Sequence, residues 1–355
     1  MKKKRYLQII KMLPVIVGVA LSVFGLIMYP NETAQGIKHG LILLGENIIP
    51  SLFPFMVLST YISGSPLIEF LAKIIEKPSQ KIFKTNGNGV IAVILGFLGG
   101  YPIGAKTAAE FYEKGKLTDN EVQRLFYWCV NPSPAFVITA VGTFMLSNFK
   151  RGAILYFSTV LSSLLIGFCT RLFSDGEKPA HKTQELINRK NIFVNSVAVG
   201  SEAMLSVCGW VLTFSAIAAL SDIFAPNEHS ALFIKSILEV TTGCKYSVSY
   251  GLPLPILSAI LGFGGFAVIF QIGSYMEKCK IEIKTFLCIR LLNGALSAFF
   301  CSQLLNLFPQ STPVFSEITV GSAAFPISHS ISATVILILM CTVLIFEVDN
   351  KRKVC

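Results

Sequence analysis

The chain alternates long apolar runs with short polar intervals, and the runs predict membrane helices. A spanning helix needs about 20 mostly apolar residues. Nine stretches qualify: 12–29, 41–62, 88–105, 125–146, 152–173, 192–220, 251–273, 286–308 and 331–347. Between two of them, residues 67–86 carry Leu67, Phe70, Leu71, Ile74 and Ile75 at helical spacing with lysines interposed, which predicts an amphipathic helix lying at the interface. A second interfacial piece is expected over 231–250.

Some runs contain residues that a regular helix avoids. Gly96, Gly99, Gly100, Pro102 and Gly104 crowd the stretch 94–113, where a break in the backbone is predicted, and a polar run beginning at Lys106 follows. Non-helical backbone at membrane depth survives where it is buried in protein or lines a watery cavity, as in the broken helices of many transporters. The competing reading is that these glycines only let helices pack closely. Asn131, Pro132, Ser133 and Pro134 form a second break, whose polar side chains either face a solute or accompany a kink. Glu46, Asn47, Pro50, Ser51 and Pro54 interrupt 41–62, which predicts a re-entrant hairpin or half-helix. Glu46 is there either a functional, paired carboxylate or an interfacial helix cap.

Past residue 191 the pattern begins again. Gly45-Glu46 and Ser51 find counterparts in Gly200, Glu202 and Ser206, and Ile94-Leu95-Gly96-Phe97 recurs as Ile260-Leu261-Gly262-Phe263. Each copy continues into a glycine pair, Gly99-Gly100 or Gly264-Gly265, and an aromatic, Tyr101 or Phe266, with Gln271 standing where Lys106 stands in the first copy. Such similarity marks two structural repeats with a site at their interface.

Basic residues next to the spans set the orientation. The MKKKR start and the DNKRKVC end place both termini in the cytoplasm, as Lys178, Lys182, Arg189 and Lys190 place the loop 174–191. The loop 309–330 has no Lys or Arg and is expected outside. Both termini inside require an even number of crossings, so 41–62 is taken not to span. The expected fold is an all-α polytopic membrane helix bundle of about 8 spans with two structural repeats, broken helices and re-entrant or interfacial segments. Its parts are an anchor helix (1–40), a first repeat with a connecting span (41–173), a cytoplasmic linker (174–191), a second repeat (192–308), and an outside loop, last span and basic tail (309–355). Charge bias makes 88–105 and 251–273 run in one direction, whereas inverted repeats would oppose them.

Composition narrows the function. With 53% hydrophobic and 14% charged residues and a mean hydropathy of +0.64, the chain is too apolar for a soluble domain, which carries roughly 25% charge. The net charge of +10 sits in loops and tails beside spans, which argues for lipid headgroups and against nucleic acid. The nine cysteines lie in apolar segments without a C-x-x-C pair, and no histidine motif joins them. No cofactor, no metal and no enzymatic activity are expected, although an intramembrane enzyme or a scaffold remains the alternative class. Candidate solute-binding residues are Glu46, Asn47, Ser51, Gly99, Gly100, Tyr101, Gly104, Lys106, Asn131, Ser133, Glu202, Ser206, Gly264, Gly265 and Gln271. The N-terminus of a half-helix favours anions, and Lys106 lies at such an end. Either Lys106 makes the pathway anion-selective or it snorkels to the headgroups. Tyr101 offers a ring for stacking, and Asn131, Ser133 and Gln271 offer neutral hydrogen bonds.

The motifs GFLGGYPIGAKTAAEFYEKG, CVNPSPAF and ILGFGGFAVIFQ, in that order, resemble the sporulation integral membrane proteins of the YlbJ type, over about Gly45 to Asn293. That family groups with nucleoside-recognition gate proteins and is similar in architecture to concentrative nucleoside transporters. The resemblance implies transport of a small anionic metabolite, dipicolinic acid, across the outer forespore membrane on the mother-cell side, in contact with lipid and with room for partner membrane proteins. Gly104, Lys106, Glu110 and Phe111 echo the G-x-K-x-x-x-N-E-F pattern of nucleoside transporters, but Ala109 replaces its Asn. Transport of a nucleoside or another small solute is the alternative.

Overall fold

The computed structural model describes residues 24–25, 27–174, 191–225 and 227–308. The expected spans 12–29 and 331–347, the loops 174–191 and 309–330 and the orientation of the termini lie wholly or mainly outside these residues. Every described element is a helix. Five are long and apolar enough to cross a membrane, or six if one bent pair counts as a span. The all-α membrane bundle is thus the fold.

The first long helix, α1 (Pro30–Gly64), contradicts the expected re-entrance of 41–62, because it runs unbroken for 35 residues. Its prolines are absorbed locally. A π-turn over Leu44–Ile48 precedes Pro50, and Ser51 Oγ donates to the Asn47 carbonyl at 2.5 Å. Local π adjustments and serine hydroxyls satisfy backbone groups that proline strands in membrane helices. Next, α2 (Leu67–Phe83) lies at 92° to α3 (Gly87–Gly99), with Leu67, Phe70, Ile74 and Ile82 exposed, as the amphipathic pattern predicts.

A helical hairpin is formed instead by α3 with α4 (Tyr101–Glu113), turning at Gly100, whose φ of +95° suits glycine. Gly96 and Gly104 face each other across it, and both press on the following helix, α5 (Asp119–Cys129). A Cβ at Gly96 or Gly104 would stand 2.2 or 2.0 Å from the Cys129 carbonyl oxygen. For these two positions the close-packing reading holds. The hairpin base is tied by the Thr118–Glu121 capping box and by Arg124, which donates to the Phe83 and Lys84 carbonyls at 3.1 and 2.7 Å.

After a non-helical stretch at 130–133, α6 (Ala135–Met145) is wound as a π-helix and leads to the long α7 (Phe149–Thr170). A second set follows: the long α8 (Ile192–Phe224), a hairpin of α9 (Glu228–Leu238) and α10 (Val240–Ser249) turning at Glu239, the pair α11 (Leu254–Phe263) and α12 (Gly265–Gln271) broken at Gly264, the short α13 (Gly273–Lys278), and the long α14 (Ile283–Leu307). The segment 231–250 forms most of the second hairpin and packs into the bundle. Leu232, Lys235, Glu239, Thr241, Cys244 and Ser247 are all buried.

The order long helix, hairpin, broken pair, long helix occurs twice, with α2 inserted in the first set and α13 in the second. This order sets the Gly100 turn against the Glu239 turn, whereas the shared Ile-Leu-Gly-Phe sequence sets α3 against α11. The long helices turn apolar side chains outward, for example Phe157, Leu161, Leu165, Leu205, Leu291 and Phe299. Their inner faces are polar and joined. Ser158 and Ser258 hydroxyls lie 2.7 Å apart, Ser258 and Ser297 hydroxyls 2.8 Å, and Ser162 donates to Asn293 Oδ1 at 2.6 Å. Apolar packing gains little over lipid, so small residues and interhelical hydrogen bonds hold membrane helices together.

Candidate functional site

Three of the four breaks border one cavity, and the helix that follows the fourth lines it. Gly100, Tyr101 and Pro102 come from the first hairpin tip, Ser133 and Phe136 from the break before α6, Glu239, Val240 and Thr241 from the second hairpin tip, and Ala267, Val268 and Gln271 from α12. Ile48 and Leu52 of α1 and Val207, Trp210 and Val211 of α8 complete the wall. The space open to a water-sized molecule is about 50 Å³.

The tips also hold one another. Tyr101 donates its hydroxyl to the Leu261 carbonyl at 2.8 Å, and a Cβ at Gly264 would meet the Tyr101 ring at 3.2 Å. Gly265, with φ +80°, sits against the Ile237 and Leu238 carbonyls of the second hairpin. Further along, Lys278 pairs with Glu113 at 2.9 Å. Going from Tyr101 to Glu113 the neighbour changes from Leu261 and Gly264 to Lys278, so α4 and the α12–α13 arm lie side by side and parallel.

Two charged side chains organise the breaks, and both are 1% exposed. Arg290 of α14 donates to the Phe263 carbonyl at 2.9 Å, to the Val130 carbonyl at 2.5 Å and to the Gly262 carbonyl. These are the C-terminal ends of α5 and α11, where helix dipoles favour a cation. Glu239 does the opposite job at an N-terminus, its carboxylate accepting the Thr241 and Thr242 N–H groups at 2.8 and 2.6 Å. It is the one side chain of the wall that carries a formal charge at neutral pH.

Of the residues read from sequence as candidates, Gly100, Tyr101, Ser133 and Gln271 border the cavity. Gly99 and Gly104 belong to the hairpin packing, and Gly264 and Gly265 form the α11–α12 break. Asn131 is buried behind the wall, donating to the Trp128 carbonyl at 2.7 Å and accepting from Ser163. Ser133 caps α6 by accepting the Phe136 N–H at 3.2 Å. Lys106 lies off the cavity beside Glu110, at 3.9 Å, with Glu202 in electrostatic reach. Glu46, Asn47, Ser51, Glu202 and Ser206 are not brought to the wall, and Glu46, Glu202 and Ser206 are exposed. The sequence reading missed Glu239, Trp210 and the role of Arg290. One signal for Glu239 was present, an acid followed by two threonines, which suits a helix cap. Among the described residues no group of three or more His, Cys, Asp or Glu is placed to hold a metal ion.

The architecture is a membrane bundle of helical hairpins and broken pairs around one cavity, inside a shell of long apolar helices, and residues 46–150 match the family model described as Gate, nucleoside recognition. That span runs from α1 to the start of α7 and includes the first hairpin and the break before α6. The chain is homologous to the sporulation integral membrane protein YlbJ of Bacillus subtilis (strain 168), with 26% identity over 321 residues, 78% of this chain and 79% of that protein. The family resemblance read from the three motifs is thereby shown. No solved structure matches the chain.

Proposed function

We propose that this protein carries a small anionic metabolite, dipicolinic acid, across the outer forespore membrane during sporulation, using the cavity between the two hairpin tips as the solute site. The observation that carries the reading is the convergence of three helix breaks, at Gly100, at Ser133 and at Glu239, together with α12, on one cavity. Breaks of this kind expose backbone donors and acceptors that a solute can use. The N-terminal ends of α4 and α6 border the space and favour negative charge. Kinship with a sporulation membrane protein supports the setting.

A second reading rests on Glu239. A carboxylate in the wall suits a neutral solute with hydroxyl donors, such as a nucleoside, for which the Gate family is described. Counterflow separates the two. Liposomes holding purified protein and unlabelled dipicolinate should accumulate labelled dipicolinate faster than protein-free liposomes, and nucleosides should not compete. Competition by nucleosides without dipicolinate exchange transfers the function to the second reading, and exchange of neither excludes both.

A further inference from the structure

We propose that Glu239 is the coupling group of this cavity, taking up one proton when an anionic solute binds and releasing it when the solute leaves, so that solute and proton cross together. The inference rests on the transport reading above and adds the driving ion to it.

The geometry leaves an entering anion facing a carboxylate that two backbone N–H groups hold in place. Glu239 stands at the tip of the α9–α10 hairpin, 1% exposed, and contributes to the cavity wall. The cations nearby are engaged elsewhere. Arg290 spends its fork on three carbonyls. Lys235, one turn before Glu239, holds its ammonium 3.8 Å from the centre of the Tyr246 ring and has a further partner, and Lys245 is turned to His39 Nε2 at 2.6 Å. The helices packed on the hairpin add no titratable side chain from α6, α11 or α12. Tyr101 of α4 and Cys244 of α10 feel the Glu239 charge but are neutral, and the Cys208 thiol and the exposed Glu202 of α8 lie off the wall.

Two negative groups confined in one site hold a proton between them, because each disfavours ionisation of the other. Protonation of Glu239 removes the repulsion and turns one oxygen into a donor toward the solute at the expense of the amide bond it accepts, while the other oxygen keeps its own, since Thr241 donates to Oε1 and Thr242 to Oε2. When the solute departs, the amide donors again favour the carboxylate and the proton leaves. No covalent bond forms, and one proton accompanies each solute.

The test uses the full chain in liposomes with a pH-sensitive dye inside and the membrane potential clamped. Addition of dipicolinate outside should acidify the lumen with one proton per solute, and an inward proton gradient should raise accumulation about tenfold per pH unit. In Glu239→Gln, any remaining solute movement should carry no protons and show no pH dependence. Solute entry without lumenal acidification in the unaltered protein, or proton coupling retained in Glu239→Gln, overturns the inference. The wild-type dye signal decides even if the variant does not fold. If another solute exchanges in place of dipicolinate, the substrate reading fails and the same proton measurement, repeated with that solute, still decides. If no solute exchanges, both readings fall.

Discussion

Arg290→Met tests what holds the two broken pairs together. The substitution keeps length and apolar bulk and deletes three donors. The Gly262 carbonyl keeps the Asn293 amide at 3.0 Å, whereas the Val130 and Phe263 carbonyls lose their Arg290 bond. Two stranded buried acceptors cost about 1–3 kcal/mol each. Against this, methionine removes the desolvation of a guanidinium, a penalty of several kcal/mol for an isolated ion. That penalty is already reduced here, since the C-termini of α5 and α11 each stabilise a cation by up to ~2 kcal/mol in buried geometry. The stranded carbonyls win, for a net loss of about 2–4 kcal/mol. Arg290→Lys keeps the charge but cannot reach three acceptors, and should lose less. Cys129, Cys244, Cys279 and Cys301 are buried thiols, so a thiol-reactive dye in detergent reports unfolding, with the exposed Cys169 and Cys288 as baseline. Lower melting in both variants, with methionine the lower, is expected. An Arg290→Met protein that melts with or above wild type refutes the reasoning, because desolvation then dominates and the clamp does not hold the breaks.

Gly104→Ala should abolish accumulation of folded protein, because the new Cβ meets the Cys129 carbonyl at 2.0 Å, whereas Gly100→Ala should fold with a loss of about 1–3 kcal/mol, since φ +95° with ψ −177° is a conformation essentially confined to glycine; detergent-resistant yield on gel filtration distinguishes them. Lys106→Gln should weaken solute binding by about tenfold or less, as a charge acting across a helix turn and partly offset by Glu110; unchanged binding at equal abundance would leave Lys106 only an anchoring role. Of the two tryptophans, Trp210 borders the cavity and Trp128 is stacked on Phe83 at 4.6 Å, so solute should quench fluorescence in Trp128→Phe and not in Trp210→Phe.

The breaks at Gly100, 130–133 and Gly264 were legible because glycine and proline carry backbone conformation in their own chemistry. The break at Glu239 was hidden, since its sequence Leu238-Glu239-Val240-Thr241 holds neither residue, and the turn is made by a side-chain cap. The opposite error occurred at Pro50 and Pro54, where a π-turn and Ser51 carry the helix through. Sequence spacing also drew Glu46 and Glu202 toward the site as matched acids. Their helices turn those positions outward, a matter of packing phase that the spacing alone does not contain. Asn131 was recognised as part of a break, but its use in the inner polar network rather than at the cavity depends on Ser163, 32 residues away.

Protection of introduced cysteines tests the central claim most directly. In a cysteine-free background, Ser133→Cys and Gln271→Cys border the cavity from opposite halves, and Glu46→Cys and Glu202→Cys lie off it. Labelling by a small thiol reagent in liposomes, with and without saturating dipicolinate, should be slowed by the solute at 133 and 271 and unaffected at 46 and 202. Protection at 46 and 202 with none at 133 and 271 would contradict the account.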